Sequence, residues 1–131
     1  MTWLGPTTRA YALCAAVDMR KGFDGLFGLA TQALGRDVLR GDLFLFVGRD
    51  RTRAKVLYFD GTGLCLLHKR LSKGRFAAPW RDTSMTEWSL SPSELALFLE
   101  GCLLVGKRPL SPTPLRSADL RSQAKRTRLQ T

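Results

Sequence analysis

The sequence holds few of the residues that cross-link a chain or carry it through a membrane. Its three cysteines, Cys14, Cys65 and Cys102, lie too far apart for the spacing of a zinc site or a redox centre. Each occurs in an apolar run, which predicts buried free thiols and a reducing compartment. No run approaches the roughly 20 apolar residues of a membrane-crossing helix, and the first residues show no basic and apolar regions of a secretion signal, so we expect neither membrane insertion nor secretion. The expected location is the cytoplasm.

Signatures of catalysis and cofactor binding are also scarce. The one histidine, His68, lies in a predicted strand, where a packed or surface role is more common than catalysis. Gly25 and Gly28 do not form a phosphate loop of the Walker type, because they fall inside a predicted helix and no Lys-Ser or Lys-Thr pair follows them. We therefore expect no enzyme activity and no cofactor.

Acidic residues are single and scattered. A metal-dependent nuclease needs carboxylates that converge on divalent ions, and the spacing of the aspartates predicts no such convergence. Capping of turns and of a helix start accounts for them better. The aspartates that remain open to a nuclease interpretation are Asp18, Asp24, Asp42 and Asp60.

Positive charge is what the chain has in excess: 21 Lys and Arg stand against 11 Asp and Glu, for a net charge of +10. Residues 1–106 hold 14 basic and 10 acidic side chains, whereas residues 107–131 hold 7 and 1. The last segment is rich in Pro, Ser and Thr, which predicts a disordered basic tail after one domain of residues 1–106. The excess favours a polyanionic partner.

The hydrophobic pattern predicts an α+β domain. Its cues are a hairpin signal at Asp60-Gly61, a capping box that begins at Ser91, and Gly35 as the C-terminal cap of the first helix. Three strands in sequence predict an antiparallel β-meander of three to four strands, preceded by an N-terminal strand and helix and followed by a C-terminal helix. The predicted strands are 11–17, 43–47, 55–59, 64–71 and a short edge strand 87–90; the helices are 22–34 and one that begins after Ser91 and ends near Gly101.

Basic side chains cluster in the predicted turns. Lysine and arginine at loop ends can neutralise phosphates, and the alternative is a solvated basic face without a ligand. Phe76 and Trp80 lie among them and could stack on bases, although core packing is the simpler interpretation. The candidate nucleic-acid-binding residues are Arg20, Lys21, Arg49, Arg51, Arg53, Lys69, Arg70, Lys73 and Arg75.

Four segments in a fixed order carry a resemblance to a known family. They are residues 18–26, 41–49, 55–63 and 66–76, and the first is the most specific. Over residues 10–108 the chain resembles the TnpB accessory proteins of the insertion-sequence-sixty-six family of bacterial transposable elements. His68 departs from the pattern, because relatives commonly have an aromatic there. The nine residues of the first motif are Asp18, Met19, Arg20, Lys21, Gly22, Phe23, Asp24, Gly25 and Leu26.

The resemblance implies a role in DNA transposition. Such proteins are encoded beside a DDE-type transposase that carries out the strand chemistry, so this chain is expected to be a non-catalytic accessory protein. Its expected partners are the DNA of the transposon ends and the transposase. Two alternatives stay open: an interaction module that binds the transposase without DNA contact, and a metal-dependent nuclease.

Overall fold

The computed structural model describes residues 8–81 and 84–101. Five strands form one mixed sheet in the order β4-β3-β2-β1-β5, with helices packed on both faces. The predicted basic tail and the predicted domain boundary after residue 106 lie outside the described residues. The elements in chain order are β1 (Ala10–Val17), α1 (Phe23–Gly28), β2 (Leu43–Gly48), β3 (Arg53–Phe59), β4 (Leu64–Arg70), β5 (Glu87–Leu90) and α2 (Pro92–Leu99).

The predicted meander is confirmed for β2, β3 and β4, which pair antiparallel in sequence order. β1 pairs parallel with β2, because the chain returns through α1 before β2 begins. The predicted short strand, β5, is present but does not extend the meander. It pairs antiparallel with β1 and forms the opposite edge of the sheet. The sheet is therefore mixed, and β1 lies inside it.

The hairpin between β3 and β4 forms at the predicted turn. One carboxylate oxygen of Asp60 accepts hydrogen bonds from the main-chain N–H groups of Thr62 and Gly63, at 2.9 and 3.0 Å. These bonds lower the pKa of Asp60 to about 2. The turn leaves Phe59 opposite Leu64. That one pair fixes the register of both strands, since each step along β3 is matched by a step back along β4.

The core consists of two layers, one on each face of the sheet. β2 is buried along its whole length, and its alternate residues supply both layers, as expected of a strand covered on both sides. Leu26 and Ala30 cover the first face, and Leu95 and Phe98 of α2 cover the second. We call these the α1 face and the α2 face.

The first helix is shorter and less regular than predicted. α1 continues into a π-helical turn, Leu29–Ala33, and the chain then reverses at Gly35, whose φ of 65° suits glycine. Leu26 and Ala30 are fully buried, as predicted. Phe23 is 46% exposed, although the pattern assigned it to the apolar side. Phe23 lies one turn before Leu26, at the first position of the helix. Its place in the apolar pattern does not by itself bury the side chain.

The second helix begins as predicted. Ser91 accepts a hydrogen bond from the N–H of Glu94, and the Glu94 carboxylate accepts one from the N–H of Ser91, so both halves of the capping box are present. Gly101, with a φ of 71°, follows the helix and lies against the side chain of Leu71. No helix of the described residues is long and apolar enough to span a bilayer.

The cysteines differ from expectation. Cys14 and Cys65 are free thiols, as predicted, but each is half-buried rather than buried. Cys65 lies on β4, an edge strand with one open side, and its Sγ is 3.4 Å from a carboxylate oxygen of Asp60. Cys102 lies outside the described residues.

Candidate nucleic-acid interface

The nine candidate cations lie at one end of the sheet, where β1, β2 and β4 finish and β3 begins. β1 and β2 are parallel, so the turns after them leave from the same side. We call this the basic end. Two of its side chains are half-buried, those of Arg51 and Lys69, and the other seven residues are exposed. The residues of the basic end are Arg20, Lys21, Arg49, Arg51, Arg53, Lys69, Arg70, Lys73 and Arg75.

Main-chain hydrogen bonds hold two of its loops together. The N–H of Leu71 donates to the carbonyl oxygen of Thr52 at 2.9 Å, and the N–H of Phe76 donates to that of Arg51 at 2.7 Å. The loop that carries Lys73 and Arg75 is thereby fixed beside the turn that carries Arg51. Arg51 has a φ of 62°, the left-handed conformation that non-glycine residues seldom adopt.

The aromatic residues of this region belong to the core. Phe76 is fully buried and stacks on Phe98 of α2, with ring centroids 5.6 Å apart. Trp80 is half-buried and packs against the same cluster. Core packing is therefore the confirmed interpretation of Phe76, and the basic end binds nothing through that ring.

The specific motif of residues 18–26 forms the connection from β1 to α1. The Asp18 carboxylate accepts hydrogen bonds from the main-chain N–H and the guanidinium of Arg20, at 2.9 to 3.2 Å. These bonds hold the pKa of Asp18 far below its usual range. The Arg20 side chain is nonetheless 90% exposed, so its remaining donors face solvent. Asp18 thus shapes the turn, as predicted from its position.

Other residues of the motif anchor that connection to the sheet. Met19 is buried and lies directly over Gly48, where an added Cβ would come within 2.7 Å of the Met19 Cγ. Lys55 is also buried, and its Nζ donates to the carbonyl oxygen of Lys21 at 2.7 Å. The motif therefore needs a small residue at the end of β2 and a long polar one on β3. Together, the Met19–Gly48 contact and the Lys55–Lys21 hydrogen bond fix where the main chain of Arg20 and Lys21 lies.

A cleft of about 480 Å³ opens between these turns. Arg49 and Arg53 line it together with the carboxylates of Asp18 and Asp50. The Asp50 carboxylate accepts a hydrogen bond from the N–H of Thr52 at 3.1 Å, and this bond lowers the pKa of Asp50. The cleft walls thus carry both signs of charge, and the excess of cations lies on the rim.

One arginine pair stands out on the α1 face. Arg53 of β3 and Arg70 of β4 are direct cross-strand partners, and Lys55 pairs with His68 one pleat further along. Burial lowers the pKa of His68, and the charges of Lys55, Arg53 and Arg70 lower it further. These surroundings therefore favour the neutral form of the imidazole over the protonated form.

Comparison with known proteins identifies the family. The family model described as TnpB, IS66 Orf2-like protein, matches residues 8–108, which include the whole basic end. The chain belongs to the IS66 Orf2-like family. It is 36% identical over 97 residues to the uncharacterized protein y4hO of Sinorhizobium fredii, which covers 74% of this chain and 83% of that protein. No solved structure matches this chain significantly.

A second relative comes from the same organism. The uncharacterized protein y4jC of Sinorhizobium fredii is 34% identical over 101 residues, or 75% of this chain and 84% of that protein. The family description connects this IS66 Orf2-like chain with insertion sequences and their transposition.

The four aspartates considered for a nuclease do not meet in this IS66 Orf2-like fold. Asp18 follows β1 at the basic end, whereas Asp60 follows β3 at the other end, about 20 Å away by the rise of a seven-residue strand. Asp42 directly precedes β2 and lies with Asp60 at that far end, and Asp24 lies in the first turn of α1. The described residues hold no group of three His, Cys, Asp or Glu side chains placed to bind a metal ion.

Sequence reasoning missed a second group of arginines, at the end of the sheet opposite the basic end. Arg36 pairs with Glu87, and its guanidinium lies 3.6 Å from the centre of the Tyr11 ring. Arg9 and Arg40 line a cavity of about 500 Å³ beside it, with Asp37 and Asp42. The three carboxylates of Asp37, Asp42 and Glu87 equal these three arginines in number, whereas cations outnumber carboxylates at the basic end. Its sequence signal was weak because its arginines alternate with aspartates.

Proposed function

We propose that this protein is a non-catalytic accessory factor for transposition of a bacterial insertion sequence. It binds DNA of the element ends through the basic end and assists the DDE transposase. Family membership supports the transposition context. The observation that carries DNA contact is that turns from separate parts of the chain bring nine cations to one end of the sheet.

The charge balance at that end favours a polyanion. Among residues 8–81 and 84–101 only two ion pairs form, Asp18–Arg20 and Arg36–Glu87, and only the first lies at the basic end. Eight of the nine cations are thus left without a carboxylate partner within ion-pair distance in the described part of the chain. Each phosphate that such a side chain neutralises releases counterions, and this release favours binding at low salt.

The direct test is a binding titration of the full chain with element-end DNA over a range of salt concentrations. The variant Arg49→Gln/Arg75→Gln removes two exposed cations of the basic end. The matched control, Arg9→Gln/Arg40→Gln, removes two at the opposite end. We expect the first variant alone to bind more weakly, with a salt slope lower by about 0.9 for each phosphate that it no longer neutralises. Absence of binding at low salt, or equal weakening in both variants, would show that the basic end is not the DNA site.

A second function, docking of the transposase without DNA, is favoured by one observation. Phe23 belongs to the most specific motif and is 46% exposed at the start of α1. Exposed aromatic side chains are enriched at protein interfaces. Co-purification with the transposase after complete nuclease digestion distinguishes the two functions, because a DNA-bridged complex does not survive that treatment. Loss of the surviving complex in Phe23→Ala would place the contact on the motif.

A further inference from the structure

Arg53 and Arg70 are directly opposite each other on β3 and β4. Directly opposed residues of an antiparallel pair hold their Cβ atoms about 5 Å apart on the same face. Both residues are exposed, and the strands fix where the two side chains originate. Like charges in this position destabilise a sheet, so the pair needs an explanation beyond folding.

No carboxylate in the described part of the chain lies within ion-pair distance of either arginine. The two ion pairs among residues 8–81 and 84–101 involve other side chains. Asp50 is the carboxylate whose pKa responds to Arg53, but it lies beyond ion-pair distance and is held by Thr52. The next position on the same face is Lys55, a buried ammonium whose partner is a main-chain oxygen rather than a carboxylate. Three positive charges therefore share one patch of the α1 face.

We propose that Arg53 and Arg70 together bind one phosphodiester group of the DNA backbone, with Lys55 as a fixed positive charge behind them. The inference rests on the proposed function and assigns one specific phosphate contact within it. Guanidinium groups match phosphate oxygens with paired N–H donors, so two arginines about 5 Å apart at their Cβ atoms can hold one phosphate between them. The phosphate supplies the negative charge that relieves their repulsion.

The proposed site predicts that replacing one arginine of the pair by glutamate stabilises the fold and weakens DNA binding. Arg70→Glu places a carboxylate opposite Arg53 and turns a repulsive pair into an attractive one. We expect the melting temperature at low salt to rise by roughly 1 to 5 °C, on the usual scale of a cross-strand pair in a small domain. The same variant should bind element-end DNA at least about tenfold more weakly than wild type. A residue with a purely structural role would not produce opposite effects on stability and binding.

The matched control is Arg40→Glu, which makes the same change of charge at the opposite end of the sheet. We expect it to keep most DNA affinity. Inorganic phosphate is a second probe: at millimolar concentration it should raise the melting temperature of wild type and Arg40→Glu more than that of Arg70→Glu. Equal DNA affinity of the two glutamate variants would overturn the phosphodiester site while leaving DNA binding by the rest of the basic end intact.

Failure of wild type to bind DNA at low salt would overturn the proposed function itself, so the two failures are distinguishable. If Arg70→Glu does not fold, the variant Arg70→Gln tests the phosphodiester site instead. That variant should melt no lower than wild type and bind DNA more weakly than Arg40→Gln. A lower melting temperature for Arg70→Gln would contradict the repulsion, and with it the site.

Discussion

The Nζ of Lys55 donates a hydrogen bond to the main-chain carbonyl oxygen of Lys21 at 2.7 Å. This bond joins β3 to the connection between β1 and α1, 34 residues away in sequence. The aliphatic part of Lys55 is buried on the α1 face, so the residue acts both as packing and as a polar anchor. Through this contact the sheet sets the position of the motif cations.

The first prediction concerns Lys55→Met. Methionine keeps the buried aliphatic volume and removes the charged donor, so the Lys21 carbonyl loses its partner. We expect the free energy of unfolding to fall by about 1 to 3 kcal/mol, the usual range for a hydrogen bond from a charged group. Chemical denaturation measures the loss, and amide hydrogen exchange should show faster exchange in residues 18–22. Unchanged stability and unchanged exchange would mean that the bond does not hold the turn.

The second prediction tests the contact between Met19 and Gly48. Gly48→Ala introduces a Cβ only 2.7 Å from the Met19 Cγ, so the buried methionine side chain must shift. We expect a loss of about 1 to 3 kcal/mol, as for other overpacked cores. The double variant Met19→Ala/Gly48→Ala should lose less than the sum of the two single variants, because the clash is gone. Strict additivity in that cycle would show that the two residues do not interact.

Much of the fold follows from local patterns in the sequence. The Asp60 turn, the Ser91 capping box and the end of α2 near Gly101 each depend on residues within a few positions of one another. The position of β1 does not. The apolar pattern of a buried strand does not show which strand it pairs with. The parallel pairing of β1 with β2 depends on contacts between residues more than 30 positions apart.

The candidate site could also be predicted from the sequence where it depends on local patterns. Once the hairpin turn is placed at residues 60–63, counting back along both strands puts Arg53 opposite Arg70. Two features were beyond that reasoning. The strand pattern around Lys55 does not show that this lysine is buried, because the carbonyl that it binds comes from the connection between β1 and α1. Phe23 follows the apolar period of α1, but burial also needs an opposing surface, which the period does not specify.

The third prediction concerns Phe23→Ala. Nearly half of this residue is exposed, so its removal should cost less than about 1 kcal/mol of folding free energy, far below the usual loss for a buried phenylalanine. We expect transposition in cells to fall all the same, since the ring is an exposed part of the family's most specific motif. A transposition assay with immunodetection of the protein measures both properties. Phe27→Ala, a half-buried neighbour in the same helix, is the control for effects through stability.

The last prediction uses the single histidine of the chain, whose ring resonance can be followed without overlap. Burial and the charges of Lys55, Arg53 and Arg70 lower the pKa of His68 below its ordinary value of 6.5. The unfolded chain therefore binds a proton first as pH falls, so this group's contribution to stability is full above pH 6.5 and declines below it. Arg70→Gln removes one of the three charges and should raise the pKa of His68 in an NMR titration, but not to 6.5, because the partial desolvation and the charges of Lys55 and Arg53 remain. Arg40→Gln, at the far end of the sheet, should leave the His68 pKa unchanged. A wild-type value at or above 6.5, or the same value in Arg70→Gln, would contradict the charge environment that the cross-strand arginines create.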